Sequence, residues 1–191
     1  MTTEKKTTDY KTLDYKTLLI SEPWPQMDAD PILSWNPDPL YSEIVPNLFQ
    51  GGTAETDTIH HAWPRGELRE RMPFDAVITM YYATRPAEWS LPELRHPIKD
   101  GEISDINLEE LKHVVVWGKR HLVEGRKLLV RCQAGLNRSG LVTSLLLMST
   151  GYTAQEAITL IRSKRSKWAL YNVHYVRWLI EEGEGFIASI D

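Results

Sequence analysis

One run constrains this chain more than any other: Lys127-Leu-Leu-Val-Arg-Cys132-Gln-Ala-Gly-Leu-Asn-Arg-Ser-Gly140. Its apolar start, Lys127–Cys132, reads as a strand buried on both faces. Residues Ser139 to Thr150, closed by Gly151, read as a helix. A short loop between such a strand and such a helix aims several backbone N–H groups at one spot. Gly135 and Gly140 permit close backbone approach there, so the loop is a cradle for an anion of phosphate size.

The side chains in the loop add chemistry to the cradle. The helix N-terminus and the converging N–H groups stabilise a thiolate at Cys132, which is then a nucleophile near neutral pH. Arg138 can set its planar fork against two phosphate oxygens. Ser139 is placed to hydrogen-bond the sulfur and ease its departure in a second step. The loop positions Gln133, Ala134, Gly135, Leu136 and Asn137, with Arg138, are the expected phosphate-binding set. A lone cysteine at the end of a buried strand is usually a small inert hydrophobe. However, Gly, Arg, Ser or Thr, and Gly at fixed offsets after one given cysteine arise by chance only about once in 10⁴–10⁵.

The surrounding chain alternates strands and helices. Ser42–Val45 and Leu48–Gln50, broken by Pro46-Asn47 and ended by Gly51-Gly52, read as a hairpin. Phe74–Tyr82 is a nearly continuous apolar run suited to a buried strand, and Leu94–Ile98 a shorter one. A helix is expected over Asn107–Glu124, capped by Asp105 and closed by Gly125. Thr153 with Glu156 makes a capping-box pattern opening a helix to Ser163, and a last helix spans Asn172–Glu182. The expectation is one α/β domain over 41–191, with a central mixed sheet of four to five strands flanked by helices and the phosphatase loop at the C-terminal end of its strand. Residues 1–40 read as a polar, Pro-rich extension. It carries a tandem DYKTL repeat at 9–18, and six prolines fall between Pro23 and Pro46. The repeat is either an accidental duplication in a disordered tail or a docking or phosphorylation segment built on Tyr10 and Tyr15.

Cys132-x5-Arg138-Ser139 resembles the signature of the cysteine-dependent protein tyrosine phosphatase superfamily, and the short loop and small domain look most like its dual-specificity branch. IVPNLFQGG at 44–52 is similar to that family's opening hairpin. Ala157-Ile158, Ile161-Arg162 and Arg165 resemble the helix after the active-site helix, and Asn172, Tyr175 and Leu179 the start of the final one. The resemblance covers about 41–182. It implies phosphomonoester hydrolysis through a cysteinyl-phosphate, most simply of phosphotyrosine or phosphoserine/threonine in proteins, without metal or other cofactor. One departure is Arg131, where the family usually has a loop-holding His.

Such hydrolysis needs an acid to protonate the leaving oxygen. The resemblance implies an Asp some 30–40 residues before the cysteine, and Asp100 in His96-Pro-Ile-Lys-Asp100-Gly is the choice. Asp105 competes but suits a cap, and Glu102 is a weaker candidate. The loop lacks the lysines usual in phosphoinositide-directed relatives. Its Gly-Leu-Asn-Arg-Ser-Gly portion is also similar to RNA 5′-phosphatases, which leaves RNA 5′-triphosphate or phosphate hydrolysis as an alternative, and a phosphate-binding pseudophosphatase as another.

Composition narrows the partners. With 26 acids, 22 bases and a charge of −4, the chain has no global field toward nucleic acid or anionic membranes. Residues 1–40 hold 4 bases and 7 acids, so the rest is nearly neutral. The single cysteine excludes an internal disulfide, and MTTEKKTTDY has no apolar run behind its lysines, so a cytoplasmic location is expected. His60, His61, His96, His113, His121 and His174 lack zinc-site spacing. The seven tryptophans are too scattered for a stacking platform. The one basic cluster, Arg162-Ser-Lys-Arg-Ser-Lys167, is either a solvated helix end or a positive rim steering phosphorylated substrates.

Overall fold

The computed structural model describes residues 39–54, 57–60 and 73–190. The DYKTL repeat, Trp24, Trp35, His61 and Trp63 lie outside those residues.

The hairpin forms as the turn residues dictate. β1 (Tyr41–Val45) and β2 (Leu48–Gly51) pair antiparallel around Asn47, whose φ of 69° is one that Asn tolerates. β3 (Ala76–Thr79), β4 (Glu93–Arg95) and β5 (Leu128–Arg131) complete a five-stranded mixed sheet in the order β1-β2-β5-β3-β4. β5 is central and runs parallel to both β2 and β3, with Leu48 and Ala76 flanking Leu128. Burial on both faces explains the unbroken apolar run in β3 and β5. The Phe74–Tyr82 strand is shorter than expected, because after Met80 donates to the Arg131 carbonyl (2.8 Å) the chain leaves the ladder.

Among the described residues there are five α-helices, three of them opened by a side-chain cap. α1 (Leu108–Val123) is capped by Asn107, whose side chain accepts from the N–H groups of Glu109 and Glu110. This corrects the assignment of the cap to Asp105, which instead ends a single 3₁₀ turn, Ile103–Asp105, two residues before the capping position. α2 is Arg138–Met148, and α3 (Ala154–Lys164) opens with the full Thr153–Glu156 capping box. α4 (Val173–Glu181) is capped by Asn172, and a short α5 (Gly183–Ala188) follows where no helix is expected from a segment with two glycines. Gly118 lets α1 lie close, since a Cβ there would meet Leu146 Cδ2 at 2.8 Å and Ile78 Cδ1 at 3.0 Å.

Strand alternation divides the sheet into two unlike faces. Ala76, Ile78, Leu128 and Val130 join Val114, Val115, Leu141 and Leu145 in the main core beneath the helices. Val77 and Leu129 face the other way, against Ile59, Phe74 and Leu91. Arg131 continues that second face, and its side chain is fully buried. It ion-pairs with Glu93 (Nη2–Oε1, 3.0 Å), donates from Nε to Thr79 Oγ1 (2.8 Å) and from Nη2 to the Arg85 carbonyl (3.0 Å), and meets His60 Nε2 at 3.3 Å. Burial lowers the Arg131 pKa, and Glu93 works against that. Burial raises that of Glu93, but hydrogen bonds from Thr79, Ala87 N–H and Arg131 outweigh it and hold the carboxyl below its usual range.

Removing one partner strands the other, so Arg131→Met is expected to cost about 3–5 kcal/mol, roughly a 6–20 °C loss in Tm, with Arg131→Met/Glu93→Leu recovering more than half of it. Because the Glu93 pKa is depressed on folding, the pair's contribution is complete above the ordinary carboxylate range and disappears as pH falls through the folded value. Thermal melts across acid pH check both points. Equal losses in the single and double variants, or an unaltered acid dependence in the double, contradict this account.

Candidate active site

The site is built on the turn from β5 into α2. Four successive carbonyls of that turn are drawn outward by donors from elsewhere in the chain. Thr53 N–H takes the Gln133 carbonyl (3.0 Å) and Arg165 Nη2 the Ala134 carbonyl (3.4 Å). Gln50 Nε2 (3.0 Å) and Arg165 Nε (3.2 Å) share the Gly135 carbonyl, and Leu170 N–H takes that of Leu136 (3.2 Å). Among the described residues, no N–H from Gln133 to Asn137 finds a carbonyl acceptor. With their carbonyls turned out, these N–H groups face the concavity, which is the arrangement of an anion nest. Gly135 makes the curl possible: its φ is +73°, and a Cβ there would lie 2.3 Å from the Gly51 carbonyl carbon.

Cys132 sits at the floor, 2% exposed, with Sγ 3.3 Å from Ser139 Oγ. Arg138 is the first residue of α2. Its Nη2 reaches Gln133 Oε1 at 3.4 Å, its guanidinium lies 5.1 Å over the Tyr81 ring, and its Nε is buried without a hydrogen-bond partner. A cation held this way keeps donor capacity for an incoming oxyanion. Arg165 beneath the loop also bonds the Pro39 carbonyl (2.6 Å). Burial lowers its pKa to about 10, while the Cys132 charge works against the fall, so it stays cationic at neutral pH.

Asp100 is brought to the loop edge by two amides. Asn137 Nδ2 donates to its Oδ2 (3.1 Å) and Asn172 Nδ2 to its Oδ1 (2.9 Å), and Arg138 Nε lies 4.0 Å from Oδ2. Tyr175 Oη holds the preceding carbonyl, that of Lys99, at 2.5 Å. Burial, then the Asp100 charge, push the hydroxyl pKa values of Tyr171 and Tyr175 up, so both stay neutral. Asp105 lies instead beside Lys99 (3.9 Å), and Glu102 accepts from Ser104. Neither is tied to the loop.

The structure therefore gathers Cys132, Arg138, Ser139, Asp100 and the loop residues Gln133, Ala134, Gly135, Leu136 and Asn137 in one place, with Leu136 contributing backbone because its side chain is in the core. Arg131 does not face this pocket but the opposite side of the sheet. The basic cluster is neither wholly solvated nor wholly a rim: Arg162 bonds the carbonyls of Ala169 and Leu170, Arg165 is internal, and of its four cations Lys164 and Lys167 are exposed. Gln50, Thr53 and Leu170 escape a reading of the sequence. The one available signal was an amide, Gln50, in an otherwise apolar strand. Among the described residues, no group of three or more His, Cys, Asp or Glu could hold a metal ion, and no helix is long and apolar enough to cross a membrane.

Comparison with known proteins follows the same outline. The chain is 29% identical over 126 residues to 123R of Invertebrate iridescent virus 6, named as a candidate tyrosine phosphatase, covering 65% of this chain and 80% of that protein. Its fold is similar to that of human DUSP28, with a TM-score of 0.66, 20% identity, and coverage of 81% of this chain and 99% of that one. Tk-PTP in its active form gives a TM-score of 0.57 at 25% identity, covering 76% and 99%. Residues 67–184 match the family model for the dual specificity phosphatase catalytic domain. Since that match spans more than half the sequence, the chain belongs to the dual specificity phosphatase family and is a protein phosphatase of its cysteine-dependent class.

Proposed function

We propose that residues 41–191 form the catalytic unit, preceded by an extension at 1–40, and that it hydrolyses phosphorylated side chains of proteins with Cys132, Arg138, Asp100 and Ser139 as its working residues. The observation that carries this is the loop with its carbonyls turned outward around a cysteine sulfur. Fixed dipoles of that kind act on charge developing in the transition state without having to reorganise.

In the first step the Cys132 thiolate attacks phosphorus, forming the S–P bond as the ester O–P bond breaks and Asp100 gives its proton to the departing oxygen. Arg138 and the loop N–H groups bind the three non-bridging oxygens. In the second step water attacks, its proton passes to Asp100, and the S–P bond breaks as Ser139 hydrogen-bonds the returning thiolate. Asn137, the feature shared with RNA 5′-phosphatases, spends its amide on Asp100 and its carbonyl oxygen on Asn172 N–H, which supports acid positioning and favours the protein-phosphatase reading. A thiolate nucleophile implies a reducing compartment, and the cytoplasm fits it.

Cys132→Ser is expected to abolish release of phosphate from p-nitrophenyl phosphate while orthovanadate binding survives, and the wild-type rate should be indifferent to EDTA. Folded, reduced wild type without turnover would sink this reading. Asp100→Asn should lower kcat about 10²-fold on an alkyl phosphate and far less on p-nitrophenyl phosphate, whose leaving group needs little help. Equal effects on both esters, or a larger effect from Asp105→Asn, would remove Asp100 from the acid role. Gln50→Leu should keep the fold yet weaken orthovanadate inhibition about 2- to 12-fold, the worth of one buried hydrogen bond. An unchanged inhibition constant would mean that Gln50 does not shape the loop.

A further inference from the structure

The connection from β3 to β4 is held with unusual thoroughness for a surface loop. Arg95 Nη2 donates to the Thr84 carbonyl (2.9 Å) and reaches that of Tyr82 (3.5 Å). Arg131 Nη2 donates to the Arg85 carbonyl (3.0 Å), and His60 Nδ1 lies 2.8 Å from that of Pro86. Glu93, bonded to both arginines, ties these donors together. A loop clamped this way presents its side chains in fixed positions.

Two of those side chains lead from the phosphate site to solvent. Tyr81 carries the Arg138 guanidinium over one face of its ring at 5.1 Å. Tyr82 meets Tyr81 edge-on, with ring centroids 5.3 Å apart, and is 75% exposed. A large aromatic ring this exposed, on a rigid backbone and packed on the ring that carries Arg138, is pre-organised contact surface. The geometry also discriminates between esters. A phosphate held by Arg138 and the loop is a neighbour of this strip, and the ester group within reach of it differs between substrates. In phosphotyrosine that group is an aromatic ring, while in phosphoserine and phosphothreonine it is a single aliphatic carbon that cannot span to Tyr82.

Building on the phosphatase reading of the same pocket, we propose that Tyr81 and Tyr82 form an aromatic wall against which the phosphorylated ring of the substrate lies, so that the site selects phosphotyrosine over phosphoserine and phosphothreonine. Arg138 already covers one face of Tyr81, so Tyr82 offers the open edge and face to the incoming ring. Tyr82 is a specificity-determining residue here and takes no part in bond making.

The test uses two peptides of one sequence, phosphorylated either on tyrosine or on serine at the same position, with the full chain, Tyr82→Ala and Tyr82→Phe. Wild type is expected to favour the phosphotyrosine peptide. Tyr82→Ala should lower kcat/KM for that peptide about 3- to 10-fold, through KM, while the phosphoserine peptide changes less than twofold. Tyr82→Phe should restore the preference, since the ring and not its hydroxyl makes the contact. A preference for phosphoserine in the wild type, or equal fold-changes on both peptides, overturns the aromatic wall and leaves the phosphatase reading standing. If the wild type turns over neither peptide nor p-nitrophenyl phosphate, the phosphatase reading falls and this inference with it.

Discussion

Everything in this molecule that bears on phosphate depends on which way four peptide groups point. A free loop of this length in water would let its carbonyls and N–H groups tumble, since water satisfies either orientation. Here Thr53, Gln50, Arg165 and Leu170 take the carbonyls of residues 133–136 from outside, and the N–H groups face inward as a consequence. The donors come from the opening hairpin, the end of α3 and the turn before α4. Those elements are therefore parts of the cradle although none of them carries the nucleophile.

The same strand separates two chemistries that would interfere if mixed. Alternation along β5 sends Cys132 toward the helical core and Arg131 to the opposite face. A guanidinium placed directly beside the sulfur would pair with the thiolate and hold it back from phosphorus. Set behind the sheet and paired with Glu93, it organises β3, β4 and the loop between them instead. The departure from the family's usual histidine thus changes what stands behind the nucleophile, while the pocket keeps its own cation in Arg138.

Much of this was readable in advance where short-range physics decides. The strand-loop-helix around Cys132, the Thr153–Glu156 box and the hairpin around Asn47 follow from propensity, capping and turn chemistry, which act over a few residues. The relation of Asp100 to the loop could be expected only through the resemblance, because it depends on the fold bringing residues 100, 137 and 172 together. The basic cluster shows the limit clearly. Four cations in six residues at a helix end look solvated, yet the direction in which Arg162 and Arg165 point is set by carbonyls that arrive from other parts of the chain. Asp105 misled for a subtler reason: it and Asn107 are both good caps, and the choice turned on a single 3₁₀ turn that takes up Asp105.

The central place of β5 also fixes an order of assembly. Until Leu128–Arg131 has left the ribosome, the β1–β2 hairpin and the β3–β4 pair cannot join into one sheet, because β5 alone lies between them. Both of its pairings are parallel and close loops of more than fifty residues, the kind of contact that forms late and slowly. Cys132 is the next residue to emerge, but the cradle around it still waits for Arg165 and Leu170 some thirty positions later. A nascent chain therefore exposes its sulfur before it owns a site to use it in, and phosphate chemistry waits until Arg165 and Leu170 have followed.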